Sequence, residues 1–371
     1  MSAARPPEGA RTADLQVGGI PIRPLNHLHV IEFEGIGPGP LCGRVLADLG
    51  ARVTVIARPG TSSVVDKLSG GGQPPLREGK TVVELNLKHP DDVAQALGLV
   101  ASADALIEGN RPGVMERLGL GPAACAAVNP KLVYGRMTGW GQQGPLAHAA
   151  GHDINYVALS GMLSLSAVHG QLPVSPPTVL GDAGGALGLA LGIVSGVLQA
   201  RQSGQGCVVD AAIVDVVAML GGLAQWIAGT GGLGGQGKDR PSVFHDSPFY
   251  DVYRCADGGF VTLGAIEPQF YALLVQKLGL TDVDPAAQFD TTAWPALKER
   301  LRALFLTQPR QHWCDLLEGT DACFAPVLSL DEAARHPHNV VRGLYAQTPS
   351  GERRTGAAPR FTPLQEVPTH D

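Results

Sequence analysis

The chain has 371 residues, 44% of them hydrophobic and 17% charged, with a formal net charge of −6. That length supports a large buried core, in two domains or one elaborate one. The acidic balance and the lack of a basic block argue against nucleic acid as a partner, while small anionic ligands stay open because a local arginine cluster does not show in a total.

The first 26 residues contain Pro and Arg, with Glu8 and Asp14 among them, and lack the apolar core of a signal peptide, so they read as a disordered leader. From His29 short β-branched runs alternate with helical patterns. HVIEF, RVTVIA, TVVELNL, ALIEG and LVYGRMTGW read as strands. PLCGRVLADLG and PDDVAQALGLVASA read as helices, the second with Pro90 at a favoured first-turn position. This alternation predicts an α/β fold with a parallel sheet and helices on both faces. Beyond Gly151 come Gly/Ala-rich helices, GHDINYVALSGML and GDAGGALGLALGIVSGVLQARQ, whose small residues imply tight packing against each other or a partner chain. SGQGCVVDAAIVDVVAML reads as a strand feeding a helix, and GTGGLGGQGKDRP as a linker or mobile loop. SPFYDVYRCADGGFVTLGA then reads as a β-hairpin, EPQFYALLVQKLGL as a helix, and residues 245–344 as a smaller α+β unit.

Six scattered cysteines without a C-x-x-C pair point to reduced thiols, and no metal site is expected. No apolar stretch reads as long enough to cross a bilayer, since AAIVDVVAMLGGLAQWIAG carries Asp215 and several glycines. A cytoplasmic protein without membrane partners is the expectation.

GIGPGP (35–40) sits where a dinucleotide fingerprint would stand, but its prolines remove backbone donors that a pyrophosphate needs. Arg58, after the second strand, occupies the position that faces an adenosine ribose and suits a phosphorylated one, as in NADP or coenzyme A. Arg111 and Arg117 follow another strand end. His152 and Asp182 each follow a glycine at a helix start, where the local dipole disfavours imidazolium and offers donors to a developing oxyanion. A packed histidine and an N-cap aspartate are the competing readings, with Asp153 the cap beside His152. Glu267 precedes a prolyl helix start, either as a first-turn carboxylate or as an orienting group.

Together, EGIGPGP, Arg58-Pro59, NRPGVMERLGLGP, RMTGWGQQGPLAHAAGHDINYVALSG, Gly181-Asp182, GQGCVVDAAIVD, YDVYRCADGGFVTLGAIEPQFY and the late APRF resemble the α-methylacyl-CoA racemases of the family III CoA-transferase superfamily. The resemblance runs from about Leu28 to Phe361. It implies a Rossmann-like large CoA-binding domain over 27–212 completed by 345–371, a linker helix and loop over 213–244, the small domain, and an interlocked homodimer. It implies a 2-methylacyl-CoA thioester as substrate, with CoA as part of that substrate and no cofactor. Carried onto matching positions, His152 and Asp182 are two bases and Glu267 holds His152. Arg58, Arg111 and Arg117 contact CoA phosphates, with Lys80 a further cation and Ile36 a CoA contact. Met137, Thr138, Gly139 and Tyr156 line the thioester and pantetheine. Transferases of the superfamily use an aspartate at the Gly181-Asp182 position as a nucleophile, but place an aromatic residue where this chain has His152. An NADP-dependent reductase would explain Arg58 and not the prolines of GIGPGP, and a CoA-binding protein without turnover is the third alternative. The methionine-rich acyl surface of the racemases is thin here, leaving Trp226, Phe244 and His245 to shape an acyl pocket, and their final helix has no counterpart after PRF.

Overall fold

The β-branched runs pair side by side. The computed structural model describes residues 22–60, 75–166, 172–233, 241–347, 351 and 353–364. The leader through residue 21, the Gly/Ser-rich segment 61–74 and residues 234–240 of the Gly-rich loop lie outside the described residues. Strands β1 (His29–Phe33), β2 (Arg52–Ala57), β3 (Thr81–Glu84), β4 (Ala105–Glu108), β5 (Val133–Thr138) and β6 (Cys207–Ala212) form one sheet in the order β3-β2-β1-β4-β5-β6. Every neighbouring pair is parallel. Val30, Ala105 and Val133 feed one core cluster, and their neighbours Ile31, Leu106 and Tyr134 feed another on the opposite face. Apolar side chains on both faces are what a covered parallel strand requires.

Helices α1 (Pro38–Asp48) and α2 (Pro90–Val100) begin with proline, whose missing N–H would have no partner there. α1 packs through Cys42 and Leu46 into the first cluster. α2, α3 (Val114–Arg117) and α4 (Pro122–Val128) pack through Ala96, Val100, Met115 and Cys125 into the second. α5 (Asp153–Leu159) is shorter than its apolar run suggests, because Met162–Ser166 continues as a tighter 3-10 turn. Before α6 (Gly184–Ser203), the segment Val179–Ala183 forms a wide π turn, in which the Ala183 N–H donates to the Thr178 carbonyl at 3.0 Å. α7 (Ile213–Leu220) follows β6 directly.

The glycines of α6 form a stripe against its neighbours. A Cβ at Gly188 would come within 2.6 Å of Val216, one at Gly192 within 2.5 Å of Val209, and one at Gly196 within 2.9 Å of Val133. Small residues here let the helix lie close on β5, β6 and α7, so the packing is within one chain. Val179–Ser203 is, by length and composition, apolar enough to cross a membrane, contrary to the expectation from the sequence, and half of it is buried. The close-packed glycine stripe gives it the form of a core helix. Its other side exposes Leu187, Leu191 and Leu198.

Described residues up to 166, 172–220 and from 342 onward form one compact unit, and 221–341 a second. The second contains α8 (Gly222–Gly229), the hairpin β7 (Tyr250–Arg254) and β8 (Phe260–Gly264), α9 (Pro268–Lys277), α10 (Trp294–Phe305), α11 (Arg310–Leu317) and β9 (Phe324–Val327). Its core gathers Phe249, Tyr253, Leu274, Trp294, Phe305 and Trp313. β9 was not legible in the sequence because FAPV carries Pro326. It pairs antiparallel with β8 alone, as an edge strand, where a missing N–H is tolerated.

Candidate active site

The strand order changes direction between β1 and β4, and open α/β sheets bind ligands beyond the carboxyl ends of strands at such a point. β1 runs into the GIGPGP turn there. Gly37 has φ 68° and ψ −121°, and a Cβ on it would stand 3.4 Å from Asp182 Oδ2. Glycine is needed for that backbone, and the Asp182 carboxyl packs close against it. Ile36, beside it, is about half exposed.

His152 occupies the N-cap position of α5 in extended backbone and is exposed, so it is not the packed histidine that the sequence allowed. Its N–H donates to Asn155 Oδ1 at 3.0 Å. Asp153 is not the cap. It is the first helical residue, is buried, and its Oδ1 accepts the Asp182 N–H at 2.8 Å. Asp182 is not a cap either, since it lies inside the π turn ahead of α6. Burial, and then the neighbouring Asp153 carboxylate, raise the Asp182 carboxyl above the usual aspartate range, with His152 acting in the opposite sense. The two residues paired from the sequence therefore stand on segments joined by one hydrogen bond.

Tyr156 is buried one turn along α5. Its hydroxyl donates to the Gly151 carbonyl, and its ring meets Trp140 edge-on at 4.7 Å. Burial and then the Asp182 charge raise its phenol, opposed by Arg111, so Arg111 acts on the same locality. Trp140, which the sequence reading passed over, follows β5 in the GWGQQGP loop. Met137 is buried with its sulfur against Gly185, so its side chain belongs to the core rather than to a ligand wall. Thr138 Oγ1 accepts the Gly141 N–H at 3.1 Å, and the Gly139 carbonyl accepts the Val214 N–H at 3.1 Å.

Arg58 and Arg111, just past β2 and β4, and Arg117, ending α3, are exposed. The Arg58 N–H donates to the Glu34 carboxylate at 3.3 Å. The Arg111 turn is shaped by Glu108, which accepts the Asn110 N–H at 2.7 Å. Burial pushes Glu108 up to about 7, and Arg136 stands 3.7 Å away. Lys80 departs from its expected role. Its side chain is fully buried, donating to Glu32 Oε2 at 2.6 Å and to the Pro40 carbonyl at 2.8 Å. Arg77, the other cation of LREGK, pairs instead with Glu34 at the end of β1. In the second unit, Glu267 is exposed at the N-cap of α9, where its carbonyl accepts the Phe270 and Tyr271 N–H groups, both at 3.0 Å. Also in that unit, Trp226 is exposed on α8, Phe244 meets Tyr250 edge-on, and the His245 carbonyl accepts from Lys298.

A family profile, CoA-transferase family III, matches residues 25–370. The chain belongs to that family. It is 40% identical to the alpha-methylacyl-CoA racemase of Mus musculus over 92% of this chain and 86% of that one. It is 38% identical to the Homo sapiens alpha-methylacyl-CoA racemase, over 93% and 88%. The acetyl-CoA:oxalate CoA-transferase of Acetobacter aceti is 31% identical, over 87% and 86%. Among solved structures, Rv3272 of Mycobacterium tuberculosis superposes with a TM-score of 0.77 at 24% identity, covering 95% of this chain and 96% of that one. A CAIB/BAIF family protein from Brucella suis gives 0.75 at 22%, covering 91% and 93%. These structural matches establish the family's mixed α/β fold for the chain.

Proposed function

We propose that the protein is a racemase that interconverts (R)- and (S)-2-methylacyl-CoA thioesters by moving the α-proton through an enolate. The observation that carries this reading is the pairing of an exposed imidazole, His152, with the Asp182 carboxyl, on two segments tied together beyond the end of β1. Inverting a carbon through a planar enolate takes a base on one face and a proton donor on the other. Burial and the Asp153 carboxylate favour the protonated form of Asp182 over that of an ordinary aspartate, the direction a proton donor needs. His152 then takes the α-proton from one enantiomer. From the other enantiomer the roles reverse, and the enolate is reprotonated on the opposite face.

A thioester α-proton is too weakly acidic for either group unaided. At the start of α5 the Asn155 and Tyr156 N–H groups donate to the His152 carbonyl, which leaves those of Asp153 and Ile154 as the candidate donors, and one such donor at a developing oxyanion contributes about 3–4 kcal/mol in comparable sites. Glu267 is assigned the holding of His152, and Arg58, Arg111 and Arg117 the CoA phosphates. The reading takes no redox cofactor, since the proton leaves and returns without net redox change, and it assigns no metal a part. We assign the protein to the cytoplasm, and we assign it as a homodimer, the latter a reading to which the exposed Leu187, Leu191 and Leu198 of α6 lend support.

Asp182 also favours a second reading, CoA transfer, the activity named for the Acetobacter aceti relative, with the carboxylate as nucleophile through an aspartyl anhydride. One experiment separates the two. A single-enantiomer 2-methylacyl-CoA is incubated in deuterated water with the protein. Deuterium at the α-carbon together with loss of chirality supports racemisation. No label, with CoA passing to an added carboxylic acid, supports the transferase. His152→Ala and Asp182→Ala should each abolish racemisation, and each should spare exchange from only the enantiomer whose base remains.

A further inference from the structure

We propose that Asp153 is a positioning residue that fixes the distance and orientation between His152 and Asp182 by strapping the start of α5 to the π turn before α6. The inference rests on the two-base reading. His152 and Asp153 are consecutive, so whatever holds the Asp153 carboxylate also holds the base beside it. The 2.8 Å hydrogen bond from the Asp182 N–H to Asp153 Oδ1 places the other reacting residue on the same frame. The fit is close: a Cβ at Gly181 would come within 2.4 Å of Asp153 Oδ1, 3.0 Å of its Cγ and 3.1 Å of its carbonyl oxygen. Only a glycine before Asp182 lets the carboxylate in.

A neutral acceptor would serve a purely architectural tie. A buried carboxylate carries a desolvation cost, and in return it makes a charge-assisted bond, roughly twice as strong as a neutral one. It also sets a negative charge beside Asp182, which favours the protonated carboxyl that the reaction needs in one direction. The charged and titratable groups acting on Asp182 are Asp153 and His152, with the Tyr156 phenol nearby. α1 brings the Gly37 turn. α7 brings apolar side chains to this region, Leu220 against Gly184 and Ile213 against Gly185.

The test compares the wild-type protein with Asp153→Asn and Asp153→Ala, measuring α-deuterium incorporation into each enantiomer across pH, with a melting curve for each variant. Asparagine keeps an acceptor oxygen and removes the charge. We expect exchange within a few-fold of wild type at its own optimum, with both limbs of the pH profile displaced to lower pH, because a nearby negative charge has gone. Alanine removes the strap, and exchange should fall about 10- to 100-fold, the loss typical of one charged hydrogen bond. Should alanine prevent folding, the near-isosteric asparagine variant still decides through its profile. Exchange at the wild-type rate in Asp153→Ala would overturn the positioning role given to Asp153, and an unmoved profile in Asp153→Asn would overturn the part given to its charge, either result leaving the two-base reading intact. Absence of exchange by the wild type would overturn both.

Discussion

Lys80→Met separates a structural cation from a ligand-binding one. The Nζ lies 2.6 Å from Glu32 Oε2 and 2.8 Å from the Pro40 carbonyl, and the two side chains are 0% and 3% exposed. Gly43 of α1 leaves the space they fill, since a Cβ there would lie 1.8 Å from Glu32 Oε2. Removing one partner of a buried ion pair strands the other and typically costs about 3–5 kcal/mol. The cost depends on pH. Burial pushes the Glu32 carboxyl up to about 7 even beside Lys80, which pulls it down. A group raised in the folded state contributes stability that is present below its unfolded value, near 4.5, and lost as pH rises through about 7. Without Lys80 the folded value rises further, so the gap between wild type and variant should widen above pH 7, by at most about 1.4 kcal/mol per pH unit. Urea unfolding followed by far-ultraviolet circular dichroism at pH 6 and pH 8.5 measures this, and Glu32→Gln combined with Lys80→Met should recover most of the loss. An unchanged unfolding midpoint with a tenfold rise in KM for acyl-CoA would refute the argument and return Lys80 to the ligand.

Asp182→Asn should abolish racemisation and yet raise the melting temperature at pH 8, with no gain in acid well below 3.8. The raised carboxyl costs stability as pH rises from its unfolded value of 3.8, and the cost is complete once pH passes the folded value. Gly192→Ala should lower stability by about 1–3 kcal/mol by overpacking against Val209, with an unchanged urea m-value. Arg58→Ala, Arg111→Ala and Arg117→Ala should each raise KM about tenfold with kcat held, the pattern of lost uniform binding to a phosphate. A fall in kcat alone would count against that assignment.

The β-branched runs and prolyl helix starts of the first half show in the sequence because each element is specified by its own neighbours. HVIEF, RVTVIA and ALIEG are strands over almost the spans read from them. What stayed hidden depends on contacts between distant segments. Asp153 looks like a cap from its neighbours, and only the approach of Gly181, 28 residues on, shows its carboxylate facing another backbone. Lys80 looks like a spare surface cation until Gly43 is seen to open a space for it. Asp182 looks like a helix start because a π turn has no clear local signature. β9 was lost to one proline. His152 and Asp182 were legible as a pair because each follows a glycine just where an apolar run begins.

The wide turn at Val179–Ala183 closes with a bond from residue 183 to residue 178, one residue more than an α-helix spans. It therefore works as a register spacer. The glycine stripe of α6 locks the phase of everything downstream against β5 and β6. Deleting Ala183, the one residue between Asp182 and α6, would restore ordinary helical winding and leave that lock untouched. Asp182 would then swing by about 100° around the axis, carrying its carboxyl away from Gly37 and its N–H away from Asp153. The chain would keep its fold and lose the one angular setting on which the chemistry depends.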